Sequence, residues 1–290
     1  MSALKALAAL LLSATAAAQV APTAEVEHLY LDPAARGSLL VGNGQMLPGG
    51  TFRFSSALQY SNGHVKTGSA TLLRDRFALH VLGAVGVTPW LELSGDVPVV
   101  LHQVSESPGF VPSRSGLGTP FIHAKVRILD TASPVALWVA FGLGLPVGTP
   151  SALGNGGLVF APRLNAGRSF ERVQLGVELG ALVRPIGSFS DVSGGRTSAV
   201  ARADRIGSQL YLAVAASSVG DGLRGEASLR VFASLAGTPP GGELLFGVRS
   251  PHGNVEFFFL GGPGLGTPTT PTFRLYAGVA FGNGGAPVSP

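Results

Sequence analysis

The sequence predicts an all-β protein, a closed antiparallel transmembrane β-barrel of about twelve strands. Three observations carry this. Apolar and polar residues alternate with period two along most of the chain. Short connections between the alternating stretches take turns with long ones. Charge is scarce: 12% of the 290 residues against 46% hydrophobic, where a soluble domain has about 25% charged residues. The same composition argues against intrinsic disorder, which needs low hydrophobicity and high charge. Zero cysteines exclude a disulfide scaffold. A formal net charge of +4 is too small to call for a nucleic-acid partner.

The first element is an address. Residues 1–18 carry one positive charge, Lys5, then an apolar run from Ala6 to Leu12, then Ala16-Ala17-Ala18. That is the layout of a secretory signal peptide, and it implies Sec export. The apolar run falls well short of the ~20 residues a membrane helix needs. Residues 19–50 come next and contain ARGSLLVGNGQMLPGG from Ala35 to Gly50. They are expected as a periplasmic arm or as a partial plug.

The barrel is expected over residues 51–282. In Val173–Arg184, the odd positions Val173, Leu175, Val177, Leu179, Ala181 and Val183 are all apolar, while Gln174, Gly176, Glu178, Gly180 and Arg184 are polar or small. That is a strand between two environments. Similar stretches start near Thr51, Phe77, Trp90, Pro120, Pro134, Gly157, Val173, Ile206, Leu223, Gly242, Val255 and Thr272. Thr88-Pro89, Asp130–Ser133, Ser169–Arg172, Ser218–Gly222 and Ser250–Gly253 read as short periplasmic turns. Ser61–Arg76, Gln103–Thr119, Val147–Gly156, Pro185–Arg205, Ala236–Gly241 and Gly261–Pro271 read as longer extracellular loops. Short turns at one rim and longer loops at the other are the plan of an outer-membrane barrel.

A soluble sandwich has the same alternation. Lipid is favoured over water because residues 131–162 carry no charge at all, because the polar faces are rich in Gly, Ser and Ala, and because several strands reach ten or more residues. Glycines and prolines through that uncharged stretch exclude a membrane helix, so only a closed sheet satisfies its backbone. Pro98 and Pro162 fall inside expected strands, where each removes a ladder donor; a bulge or a strand end would accommodate them. Residues 283–290 are expected as a disordered tail. Phe281 closes the last strand on the apolar face, as a signal for the barrel-assembly machinery would.

If the apolar faces meet outer-membrane lipid, the lumen is lined by Arg53, Glu92, Asp96, Lys125, Arg127, Arg163, Glu178, Arg184, Arg224, Glu226, Arg230, Glu243, Arg249, Glu256 and Arg274. Eight strands are filled by side chains and sixteen leave a channel. Twelve strands therefore allow a narrow passive pore for small polar or anionic solutes, or a non-conducting structural or surface-contact barrel closed by ion pairs. His80, His102 and His123 share the polar face of three consecutive strands near the extracellular mouth, a candidate metal triad or pH-sensitive cluster. No cofactor is expected. An enzyme is not expected either: Ser94 and Asp96 lie on the strand with His102, but Ser94 is most of a strand away from it, and no G-x-S-x-G, H-E-x-x-H or Walker loop occurs.

Three stretches carry a resemblance: DPAARGSLLVGNGQ (Asp32–Gln45), TPWLELSGDVPVVLHQ (Thr88–Gln103) and GLGTPFIHAKVRIL (Gly116–Leu129). Together they resemble the β-barrel region of myxobacterial-type OmpA-family outer-membrane proteins. The most specific part is Gly116, Leu117, Gly118, Ala124, Lys125 and Arg127; the family's acidic residue after G-L-G is Thr119 here. The resemblance covers about Asp32 to Gly282 and implies a barrel in a Gram-negative outer membrane. It does not extend to the peptidoglycan-binding domain that often follows such barrels, nor does it imply a substrate.

Overall fold

The computed structural model describes residues 26–67, 70–106, 113–130, 133–149, 153, 157–188, 205–266 and 270–283. The expected signal peptide, residues 1–18, lies outside them.

The described residues contain no helix and fifteen strands: β1 (Phe52–Thr67), β2 (Ala70–Thr88), β3 (Leu91–Ser105), β4 (Gly116–Leu117), β5 (Phe121–Leu129), β6 (Ala136–Gly144), β7 (Val159–Ser169), β8 (Val173–Leu182), β9 (Gly187–Ser188), β10 (Arg205–Ile206), β11 (Gln209–Ser218), β12 (Arg224–Ser234), β13 (Gly241–His252), β14 (Val255–Leu265) and β15 (Phe273–Gly282). Twelve of them form a closed antiparallel barrel. The two-residue pieces β4, β9 and β10 sit in the long connections. Closure is made by β1, which pairs with β2 on one side and with β15 on the other, from Arg53↔Gly282 to Asn62↔Phe273. A closed sheet leaves no edge, so each spanning strand has a neighbour on both sides, as lipid requires.

The alternation decides which face is which. Along β8 Val173, Leu175, Val177 and Leu179 are exposed on the outside, and Gln174, Gly176, Glu178, Gly180 and Leu182 are buried inside. The outer belt includes Phe54, Leu93, Ile122, Phe141, Leu212 and Phe257. Aromatics crowd its short-turn rim, where Phe52, Trp90, Phe170 and Phe281 are exposed, as in the interfacial girdle of membrane barrels.

Four expectations change in the structure. Ser61–Arg76 is not a loop: β1 and β2 continue as a paired ribbon to Thr67↔Ala70. The charges that break the apolar pattern there are tolerated because the ribbon projects past the spanning strands. Pro98 lies where the β3–β5 ladder has just ended at Asp96↔Phe121, so a strand-to-strand donor is not needed. Pro162 sits at neither a bulge nor a strand end. The β7–β8 ladder skips it and resumes in the same register at Phe160↔Val183. In the tail, Asn283 is tied down, its Oδ1 accepting the Phe52 N–H at 2.7 Å; residues 284–290 lie outside the described residues.

The choice between an arm and a plug falls to the inside for residues 26–47. Nearly all are buried although none is in a helix or strand. Pro48–Thr51 leads into β1 at the short-turn end, where Gly50 N–H donates to the Gly86 carbonyl. From there the segment runs back through the barrel. Val26 packs with Val65, Leu73, Leu153 and Ile206 at the long-loop end.

Candidate functional site

The site is the barrel interior, built jointly by the inward faces of the strands and by residues 26–47. Of the fifteen charged residues expected on the inner face, thirteen are buried inside. The exceptions are at the short-turn rim. Arg53 is half-buried, and Arg127 reaches Asp130 at 3.5 Å.

At the long-loop end, Arg274 is fully buried between Glu243, at 2.7 Å, and Glu27 of the internal segment, at 2.6 Å. The second oxygen of Glu27 accepts from Gln59 Nε2 at 3.0 Å. Gln59 Oε1 then faces His80 Nε2 at 2.6 Å, and His80 Nδ1 faces Asp96 at 3.0 Å. Beside this chain, His64 Nε2 donates to the Val26 carbonyl at 3.0 Å, and Arg184 and Arg230 donate to the carbonyls of Glu27 and His28. The His28 ring stacks on Phe232 at 5.0 Å.

At mid-depth, Lys125 bridges Asp32 of the segment, at 2.6 Å, and Glu92 of the wall, at 3.0 Å. Its Nζ also lies 4.9 Å from the centre of the Trp138 ring. Arg163 donates to His123 Nδ1 at 3.2 Å. Glu178 takes Tyr211 OH at 3.0 Å and Arg230 at 3.3 Å. Neutral side chains hold the segment's backbone. Asn165 donates to the Gly42 carbonyl at 2.9 Å and accepts from Gly44 N–H at 2.8 Å. Gln174 donates to the Gly37 carbonyl at 3.0 Å and accepts from Asn43 at 2.6 Å, and Ser217 donates to the same Gly37 carbonyl. Two wall glycines make this approach possible: a Cβ at Gly176 or Gly167 would overlap the carbonyl oxygen of Gly42 or Asn43.

At the short-turn end, Glu256 accepts from three arginines: Arg53 at 2.7 Å, Arg249 at 2.9 Å, and Arg224. Glu226 accepts the Leu39 N–H with both oxygens. Arg36 of the segment lines the same cavity.

The lumen is not uniformly polar. Leu29, Leu31, Ala35, Leu39, Leu40 and Val41 of the segment pack on inward Leu82, Phe232, Leu245, Phe258, Leu260 and Tyr276. Each fully buried Leu or Val contributes about 1.5–3 kcal/mol, so the segment is seated by contact area as well as by ion pairs.

The histidine triad is not assembled. A register shift between Phe77/His102 and Ala78/Val100 inserts Leu101, which turns His102 to the exposed outer face while His80 and His123 stay inside. His80 is held by Asp96 and Gln59, and His123 by Arg163, with its ring stacked on Phe121. Among the described residues no three His, Cys, Asp or Glu side chains converge as a metal site. Sequence reasoning missed Glu27, Gln59, Asn165, Gln174 and Ser217, the groups that fasten the segment to the wall. The pointer to them was the sequence SLLVGNGQ, which is too apolar for a solvated arm and has glycines where a backbone comes close to another.

A closed twelve-stranded barrel with a lipid-facing belt, and with a charged lumen occupied by its own N-terminal segment, is an outer-membrane-type barrel. Among solved structures the chain is similar to the COG4313 outer membrane channel from Pseudomonas putida F1, with a TM-score of 0.60 and 13% identity over 83% of this chain and 98% of that one. It is also similar to the NanC porin (TM-score 0.53, 7% identity, 79% and 98% covered) and to the KdgM porin (TM-score 0.50, 9% identity, 80% and 98% covered). At these identities the likeness is one of fold. No protein-family model matches the chain, and no curated protein does.

Proposed function

We propose that this protein is a passive channel for small polar solutes in a bacterial outer membrane, reached by Sec export, and that residues 26–47 keep it closed at rest. The observation that carries the reading is the contrast between wall and plug. The wall is a complete, closed barrel lined by ionisable side chains. The plug lacks regular structure and is linked to the wall by side-chain bonds that water or a polar solute can replace. Rings of arginine and carboxylate side chains are the means by which pores select ions. Solved porins and channels with this fold support the reading. The chemistry of the lumen supports no hydrolytic role, since the Asp96–His80 pair ends on Gln59 rather than on a nucleophile.

A second reading, a non-conducting structural barrel, is favoured by one observation: Arg274, Glu27 and Glu243 are buried together at the long-loop end. Planar-bilayer recording separates the two. Protein lacking residues 26–47, checked for heat-modifiable migration as a folded barrel, is expected to show single-channel steps much larger than those of the full chain. A folded but silent deletion variant would favour the structural barrel and remove the channel.

A further inference from the structure

We propose that the cavity at the short-turn mouth is a binding site for a small, multiply charged oxyanion, and that the bound anion bridges the plug and the wall. The cavity has a volume of about 320 Å³, and its charged lining is Arg36 of the plug and Arg53, Arg224 and Arg249 of the wall, together with Glu256 and, in the short turn, Asp221. One carboxylate, Glu256, is shared by three guanidinium groups. The other inward carboxylate nearby, Glu226, accepts the Leu39 N–H and lies 3.9 Å from the Arg249 guanidinium. Four guanidinium groups, Arg36 of the plug among them, thus meet around three carboxylates.

A separate observation points to a ligand. The Nε–H groups of Arg53 and Arg224 are buried and have no acceptor. A buried donor left unsatisfied costs about 1–3 kcal/mol, and two in the lining of one cavity, on β1 and β12, call for an acceptor.

The ligand class follows from the donors. Guanidinium groups present paired N–H bonds in a plane, which match the oxygens of phosphate or carboxylate rather than a spherical halide. The volume admits inorganic phosphate or a short dicarboxylate and is too small for an oligosaccharide. Because Arg36 belongs to the plug and the other three arginines to strands β1, β12 and β13, an anion held among them binds the seated form better than the displaced one. By linkage it stabilises that form. The site binds at equilibrium whether or not the barrel conducts, so its failure and the failure of the channel reading are separate results.

The test is isothermal titration of the full chain, folded in detergent, with sodium phosphate and, in a second arm, sodium succinate, against sodium chloride at matched ionic strength. Saturable phosphate or succinate binding is expected, with no saturable chloride binding; the two arms identify which oxyanion is preferred. Arg36→Gln and Arg224→Gln are each expected to weaken binding tenfold or more, and Glu256→Gln, which removes the internal competitor, to tighten it. Arg36 lies outside the strands, so wall pairing does not depend on it. Arg53→Lys serves as a charge-preserving companion, expected to weaken binding by losing the planar donor pair. Oxyanion heats no greater than those of chloride would overturn the proposal, as would an Arg36→Gln protein that binds as tightly as the wild type.

Discussion

The two ends of the lumen hold the plug by opposite means. At the long-loop end, each carboxylate faces a basic side chain. Arg274 is sandwiched between Glu27 and Glu243, and the chain Glu27–Gln59–His80–Asp96 uses each polar tip it contains. At the short-turn end, Arg36, Arg53, Arg224 and Arg249 meet Glu256, Glu226 and Asp221, and the Nε–H groups of Arg53 and Arg224 lack an acceptor. The first end is a lock whose carboxylates are all paired within the protein. The second holds the plug by backbone groups, the Gly37 carbonyl and the Leu39 N–H, and crowds Arg36 of the plug against three wall arginines. The seat is therefore fixed from the long-loop side and adjustable from the other.

That asymmetry predicts effects of different sign and size, all readable by the accessibility of one buried plug residue. The chain has no cysteine, so a Val41→Cys background carries a single thiol, at a position buried in the plug. The largest effect is expected from Arg274→Met, which strands Glu27 and Glu243 in the interior. Removing one partner of a buried pair costs about 3–5 kcal/mol, so maleimide labelling of the Val41→Cys thiol should accelerate by two orders of magnitude or more. An unchanged rate would dissolve the lock. Gly176→Leu comes next, because its side chain needs the space of the Gly42 carbonyl. Overpacking of this kind costs about 1–3 kcal/mol, and labelling should rise by about tenfold or more while the barrel still migrates as folded. Arg36→Gln in chloride buffer is expected to leave labelling unchanged or to slow it, since the substitution relieves repulsion; acceleration comparable with that of Arg274→Met would erase the distinction between the ends. The smallest effect belongs to Arg74→Ala. Its pairs with Asp75 and Glu106 are on the exposed part of the β1–β2 ribbon, where screening leaves little net attraction. Neither labelling nor thermal stability should move.

Much of the wall was legible in the sequence, because lipid imposes a rule that local pattern can express. A strand such as Val173–Leu182 must present apolar side chains at alternate positions, and the expected strand starts fall within a few residues of the observed ones for most of the barrel. The rule fails where lipid no longer applies. The β1–β2 ribbon carries His64, Lys66, Arg74 and Asp75, so its strands look like a loop once they leave the membrane. It also fails at a bulge. One inserted residue at Leu101 reverses the face of His102, and nothing in the local composition marks the insertion. The plug was only half legible. Its sequence allowed a periplasmic arm or a partial plug alike, and its partners come from far along the chain: Glu27 meets Arg274, and Asn43 meets Gln174. No periodicity records such pairings. The inner-face charges were readable by parity. How they divide into a completed lock and an incomplete cluster depends on Glu27, Asp32 and Arg36, which belong to the segment without a pattern.

The central claim is that residues 26–47 fill the barrel in its resting state. Labelling rates of Val41→Cys and Asp221→Cys with a water-soluble maleimide, in the folded protein in detergent, test it most directly. Asp221 lies in an exposed short turn and Val41 is buried in the plug. The account predicts prompt labelling of Asp221→Cys and strong protection of Val41→Cys, lifted on unfolding. Equal rates at the two positions would mean an unfilled lumen and would contradict it.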